Sequence, residues 1–263
     1  MTSVAVLGGG VGGLSAAHEL AERGFDVTVY EMRDAFGGKA RSMPVPGSAH
    51  GGREPLPGEH GFRFFPGFYR HLTDTMERIP HPVGNTVAHH LVDATRILLA
   101  RAHKKNELIV PAQAPDSLSD YGAVAQFLYE FGFKLGIRPW ELAFFFVRLT
   151  RLLVSCDERR LHRWEHRSWW EYTHADKLSE SFQKFLADGL TRTLVAARAK
   201  EMSARTGGLI LLQILFDVAR VGGRADRVLD GPTSEVWIDP WTARLKRYGV
   251  TLRTGCEVTG IEC

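Results

Sequence analysis

The stretch Val4-Ala-Val-Leu-Gly-Gly-Gly-Val-Gly-Gly-Leu14 leaves few folds open to this chain. Val4 to Leu7 is a short apolar run that reads as a strand, and glycines stand at positions 8, 10 and 13. Leu14, Ala17, Leu20 and Ala21 then recur at helical spacing until Gly24. A second strand, Val27 to Tyr30, ends on Glu31. Strand, glycine turn, helix, strand and terminal acid together form the fingerprint of a dinucleotide-binding unit. Gly8 permits the tight turn out of the strand, and Gly10 lets the backbone approach a pyrophosphate. Gly13 allows close packing of helix on sheet. The helix N-terminus, where Val11 and Gly12 sit, presents free N–H groups and a partial positive charge to phosphates. Glu31, eighteen residues after Gly13, accepts hydrogen bonds from adenosine ribose hydroxyls and repels a phosphate placed on that ribose. Met32 beside it is assigned to the same cofactor site.

The fingerprint alone is shared by NAD and FAD proteins. The tie is broken by Gly37-Gly38-Lys39-Ala40-Arg41-Ser42, just after the acidic strand end. This run resembles the glycine-doublet motif that follows the first βαβ unit in the flavin amine oxidase and phytoene desaturase superfamily. The resemblance implies FAD as cofactor, with Gly37 and Gly38 bringing backbone close to it and Lys39 and Arg41 approaching its phosphates.

A second segment, Gly58-Glu59-His60-Gly61-Phe62-Arg63-Phe64-Phe65-Pro66-Gly67-Phe68-Tyr69, is similar to the desaturase segment that passes beside the flavin ring. The resemblance places Gly61 and Phe62 at the cofactor and makes His60 the one titratable side chain near the ring, as a catalytic acid or base or as a group that orients the flavin. A histidine hydrogen-bonded for structure is the alternative. Near the end of the chain, Val250 to Arg253 and Glu257 to Glu262 read as strands after a helix over Pro240 to Tyr248. This arrangement is similar to the same superfamily's closing segment, and the resemblance implies that the backbone at Val258 lies near the adenine.

Between these parts the character changes. Thr95 to Ala100 and Glu107 to Val110 read as a hairpin around a basic turn, and Ser117 to Phe131 reads as a helix. Pro139 to Ser155 is a second helix with proline in its first turn. Glu141, Arg148, Arg151 and Ser155 share one narrow stripe of it, and the rest of its circumference is apolar. That pattern predicts a mostly buried helix in a helical layer; the sharper alternative is the wall of a lipophilic tunnel or a membrane-facing surface. Ser203 to Arg220 is a further apolar helix. The expected fold is therefore α/β: a Rossmann-like FAD-binding domain over residues 1–84, a mainly helical substrate domain over 85–224, and a return to the FAD-binding domain over 225–263. The C-terminal part of the family's fold, including its last FAD motif, is expected to be absent.

The bulk properties exclude several classes. A formal net charge of +3 with scattered basic residues gives no nucleic-acid footprint. Three cysteines without paired spacing fit a reducing compartment, and the N-terminus enters the first strand with no room for a leader. No run approaches the roughly 18 uncharged apolar residues of a membrane span. The expected location is cytoplasmic, with peripheral membrane association as an addition. His50, His81, His89 and His90 lack partners at metal-ligand spacing, so no metal is expected. The resemblance implies an FAD-dependent oxidoreductase that desaturates or oxidises an apolar, isoprenoid-like small molecule by hydride transfer to flavin. Two alternatives stand beside it: an amine oxidase of the same superfamily, and a half-enzyme or non-catalytic subunit whose partner polypeptide supplies the rest of the flavin site.

Overall fold

The computed structural model describes residues 2–61, 64–99, 108–111, 122, 129, 132, 134–219 and 226–262. In chain order its main elements are β1 (Ser3–Leu7), α1 (Val11–Glu22), β2 (Asp26–Tyr30), β3 (Ser42–Pro44) and β4 (Pro57–Glu59). They continue with α2 (Arg70–Glu77), β5 (Leu91–Asp93), β6 (Arg96–Leu99) and β7 (Leu108–Pro111). Then come α3 (Pro139–Leu153), α4 (Ala204–Ala219), β8 (Arg227–Leu229), α5 (Asp239–Arg247) and β9 (Thr251–Arg253). The chain divides into two units: one of Met1–Phe65, Tyr69–Asp93 and Arg227–Cys263, the other of Pro66–Phe68 and Ala94–Asp226.

In the first unit a parallel sheet runs in the order β1-β2-β9, with Val4 opposite Val27 and Val29 opposite Leu252. Val6, Val27 and Val29 are buried, and they meet Leu14 and Ala17 of α1 and Trp241 and Leu245 of α5 in one core. One polar pair inside that core is mutually satisfied. The Trp241 indole N–H donates to His18 Nδ1 at 3.0 Å, which leaves the ring proton on Nε2 to meet Glu22 Oε1 at 3.2 Å. Burial keeps the His18 pKa below its ordinary value despite Glu22, so the ring is a neutral structural bridge.

The first unit extends past the expected boundary at residue 84. Val87 is fully buried, and β5 pairs antiparallel with β8, Leu91 opposite Leu229. This ladder ties the return segment to the first unit, and no local signal in the sequence marks it. The expected strand over Glu257–Glu262 is also corrected. That segment has no strand structure, and Val258 is 44% exposed. β9 ends at Arg253, and the Gly255 and Cys256 amides then donate to the Arg33 and Glu31 carbonyls. Beyond those bonds the segment has no ladder partner among the described residues, and a strand without one leaves its backbone groups to water.

The second unit is mainly helical around Phe145, Leu149, Leu152, Trp164, Trp169, Tyr172, Phe182 and Leu212. Phe145 meets Trp169 and Phe182 edge-on at 6.1 Å in each case. β6 and β7 form the expected antiparallel hairpin, Arg96 opposite Pro111. Its basic turn and the expected helix over Ser117–Phe131 lie largely or wholly outside the described residues. Among the described residues no helix is long and apolar enough to cross a membrane.

The expected mostly buried α3 is buried on one side only: Phe145, Leu149 and Leu152 face the core, and part of the polar stripe shares that side with them. Glu141, Arg148 and Ser155 of the polar stripe face inward, at 0%, 6% and 4% exposure, while Trp140, Phe146 and Val147 are exposed. The cause is hydrogen bonding. Glu141 accepts from the Ser179 amide at 2.7 Å, the Ser179 hydroxyl at 2.8 Å and the Arg138 amide at 3.0 Å. Ser155 Oγ accepts from the Trp164 indole at 3.0 Å. Burial alone would raise the Glu141 pKa, but the bonds from Ser179 and Arg138 outweigh it and hold the carboxyl below its ordinary value near 4.5. A folded pKa below the unfolded one means stability present above the unfolded value and lost as pH falls through the folded one. Glu141→Gln should therefore cost about 2 kcal/mol near neutral pH, with the difference shrinking below about pH 4. Thermal melts of both proteins across that range check it, and a gap independent of pH would refute the assignment.

Candidate functional site

The site is built on the turn between β1 and α1. β1 delivers Gly8, which takes φ +104° and donates its amide to the Tyr30 carbonyl at 2.8 Å. A side chain there would strain this left-handed backbone. α1 then begins at Val11, with Gly10 as N-cap and no side chain capping the orphan amides. An added Cβ at Gly8 or Gly12 would meet nothing within 4 Å, so space lies open beside this turn. At Gly13 an added Cβ would lie 1.9 Å from the Gly8 carbonyl oxygen, which shows how closely the helix is set against the strand exit.

The second sequence motif docks onto the first. Gly37 donates to the Gly9 carbonyl at 2.8 Å and forms a parallel bridge with Gly10. Gly37 and Gly38 hold φ of +103° and +58°, and a Cβ on Gly38 would lie 3.0 Å from Gly10 Cα. The two glycine runs thus meet backbone to backbone. Phe36 lies against Gly9, where a Cβ would come within 2.3 Å of its ring.

Glu31, 7% exposed, aims its carboxylate back at the turn. Oε2 accepts from the Gly9 amide at 2.8 Å and Oε1 from the Arg33 amide at 3.0 Å. A carboxylate has about four acceptor positions, so these two bonds orient it and leave capacity for further donors such as ribose hydroxyls. Arg41 Nη1 donates to Asp34 Oδ1 at 3.1 Å, and its hydrogen bond and charge hold the Asp34 carboxyl below the usual range. The Arg41 Nε is buried without a hydrogen-bond partner. A cleft of about 340 Å³ adjoins it, walled by Asp34, Phe36, Arg41, Ser234, Ile238 and Thr242.

The remaining predicted residues are more dispersed. Val11 is half-buried in the first turn of α1; Lys39 and Met32 are exposed, Met32 at 62%. His60 and Gly61 are exposed just after β4, and Phe62 and Arg63 lie outside the described residues. Three supports escaped the sequence reading. Ile238 lies where a Gly37 Cβ would come within 3.1 Å of it. The Ser42 amide donates to Ser234 Oγ at 2.9 Å, and the Thr233 amide donates to Glu59 Oε1 at 3.0 Å. Ser234–Ile238 is a π-helical turn leading into α5, a rare geometry that often marks functional positions.

These features fit a dinucleotide: unpartnered helix amides, an open cradle over Gly8 and Gly12, an oriented acid, and an orphaned guanidinium nitrogen. Comparison with known proteins agrees. Residues 6–79 match the family of NAD(P)-binding Rossmann-like domains. The chain is 56% identical over 46 residues to hydroxyneurosporene desaturase of Rhodobacter capsulatus, covering 18% of this chain and 9% of that protein. In fold it is similar to an oxidoreductase of Methanosarcina mazei, with a TM-score of 0.57 and 17% identity over 100% of this chain and 53% of that one. It is likewise similar to cyclohexylamine oxidase of Brevibacterium oxydans IH-35A, at a TM-score of 0.54 and 17% identity over 95% and 51% of the two chains. The chain is thus similar in sequence, over a short stretch, to a carotenoid desaturase and in fold to these oxidoreductases, and spans about half the length of the solved structures and 9% of the curated relative.

Proposed function

We propose that this chain binds FAD and forms the adenosine and pyrophosphate end of an oxidoreductase site. The observation that carries the reading is the docking of Gly37 and Gly38 onto the Gly9–Gly10 turn, which adds the doublet resembling that of FAD proteins to the dinucleotide cradle. When bound, the flavin supplies a two-electron acceptor. The residues of this chain bind and orient: the first turn of α1 faces the pyrophosphate, Glu31 holds the ribose, and Arg41 with Lys39 offsets phosphate charge. Val258 and Met32 belong to the adenosine end in this reading, and Gly61, Phe62 and His60 to the flavin end.

The substrate proposed is an apolar, isoprenoid-like molecule desaturated by hydride transfer, a reading supported by the desaturase among the relatives. The amine oxidase alternative is supported by the likeness to cyclohexylamine oxidase, and turnover of amines but not isoprenoids would select it. Two further proposals concern surroundings. Exposed Trp140, Phe146, Val147 and Val154 on and just after α3 support peripheral membrane contact of a cytoplasmic protein. The flavin end is completed by polypeptide beyond this chain, either in the same protein or in a partner. The support is that β1 is an edge strand of its sheet among the described residues and its last residue, Leu7, is 47% exposed.

Titration with ADP and with FAD, followed by protein fluorescence, tests the reading on residues this chain contains. Both ligands should bind, and Arg41→Ala should weaken each roughly tenfold. Failure of both to bind removes the nucleotide assignment, and unchanged affinity in Arg41→Ala removes Arg41 from the phosphate site. FAD binding no tighter than ADP supports completion of the flavin end by further polypeptide.

A further inference from the structure

Among the described residues, the guanidinium of Arg148 on the inward side of α3 has no carboxylate partner. The residue is 6% exposed, and its Nε and Nη2 are buried with no hydrogen-bond partner. Its face is occupied: the guanidinium carbon sits 4.2 Å from the ring centre of Tyr172 and 5.9 Å from that of Phe144. Tyr172 in turn donates its hydroxyl to the Arg148 carbonyl at 2.7 Å, which fixes the ring under the cation. Cation–π contact offsets part of the cost of burying the charge. It uses none of the N–H groups.

The unused atoms are informative. Nε and Nη2 form the side edge of a guanidinium, the edge that two oxygens of one carboxylate or phosphate meet in a fork. The neighbouring charges that act on Arg148 have its own sign: Arg151, Arg163 and Arg167. Burial, then these three arginines, lower its pKa, with Tyr172 acting in the other direction. His174 lies near the same positive group, within 6.1 Å of Phe144, and is acted on by Arg148, Arg167 and Lys177. The acid beside it, Asp176, is exposed. Arg151 and Arg163 are turned onto the Trp164 ring, at 5.5 and 5.0 Å, and are exposed, so the positive cluster extends from the buried guanidinium to solvent. A buried charge without a counterion, inside a cluster of like charge, is destabilising unless an anion joins it.

We propose that the helical unit binds an oxyanion, a carboxylate or phosphate group, on the Nε–Nη2 edge of Arg148, with Arg167 as a flanking positive group. This site is independent of the nucleotide cradle, and its test needs no flavin.

The test is thermal unfolding of the chain at low ionic strength with added inorganic phosphate, with added succinate, and with sodium chloride at equal ionic strength. One of the two oxyanions should raise Tm by roughly 5 °C beyond chloride, and which of them does so names the group. Arg148→Met should remove that response while leaving the anion-free Tm equal or higher, because an unpaired buried charge is gone. A wild-type response no larger than that to chloride overturns the proposal, as does a Met variant that keeps the response. Arg148→Lys, should the Met variant not fold, keeps the charge without the fork and should weaken the anion at least tenfold; equal affinity also overturns it.

Discussion

Gly13→Ala should weaken nucleotide binding at least a hundredfold and destabilise the first unit by about 3 kcal/mol. The added methyl would lie 1.9 Å from the Gly8 carbonyl oxygen, 3.1 Å from the Gly8 carbonyl carbon and 3.3 Å from Val6 Cγ1. None of these is the far end of a flexible chain. Relief requires α1 to back away from β1, yet Leu14 and Ala17 are fully buried against the sheet and His18 is bonded to Trp241 of α5. The helix can retreat only by opening that core. Retreat also withdraws its first-turn amides from the cradle, so FAD or ADP affinity should fall at least a hundredfold, or about 2.7 kcal/mol. Gly12→Ala is the control. Its Cβ points into open space, and alanine gains up to about 1 kcal/mol of helix propensity over glycine. Denaturant unfolding of the two variants separates the effects: equal stabilities would show that the Gly8–Gly13 approach does not constrain the helix.

That contrast also marks what the sequence could reveal. The spacing of Gly8, Gly10 and Gly13 and the acid at the end of β2 are local, and a local backbone geometry imposes them, so they read directly. So does the helix that begins at Pro139. The supports of the same site are not local. Ser42 and Ser234 are 192 residues apart, and Ile238 reaches Gly37 from a π-helical turn that no residue pattern announces. The β5–β8 ladder is also non-local, which is why the first unit seemed to end at residue 84 instead of at Asp93. On α3 the polar stripe reads correctly, but it shares the inward side with Phe145, Leu149 and Leu152. Polarity alone assigns Glu141 and Ser155 to solvent, but the Ser179 amide and the Trp164 indole supply inward partners that hydropathy does not register. The strand expected at Glu257–Glu262 had suitable composition and lacked a neighbour. Strands are properties of pairs, and a single segment cannot report its partner.

Glu31→Gln should weaken FAD and ADP binding roughly tenfold or more and cost about 2 kcal/mol of stability, although it keeps the size and shape of the side chain. The reason is a count of donors. Both carboxylate oxygens of Glu31 face backbone N–H groups, Gly9 at 2.8 Å and Arg33 at 3.0 Å. Glutamine offers one oxygen and one NH₂, so whichever way the amide is turned, one N–H meets another donor. At 7% exposure there is little water to substitute for the lost acceptor. The conflict is relieved by rotating the side chain away, which releases the Gly9 amide and with it the segment to which Gly37 is bonded. A single atom exchange at the ribose end thereby loosens the contact between the two glycine runs. Glu31→Ala removes both acceptors without adding a donor, leaving space for water at the Gly9 amide, and should be no more disruptive to the turn than Gln while losing the ribose contact equally. Calorimetric titration of ADP against the three proteins, with hydrogen exchange at the Gly9 and Gly37 amides, measures this. Wild-type exchange rates in Glu31→Gln would show that the carboxylate does not organise the turn, and would confine Glu31 to contact with the ligand.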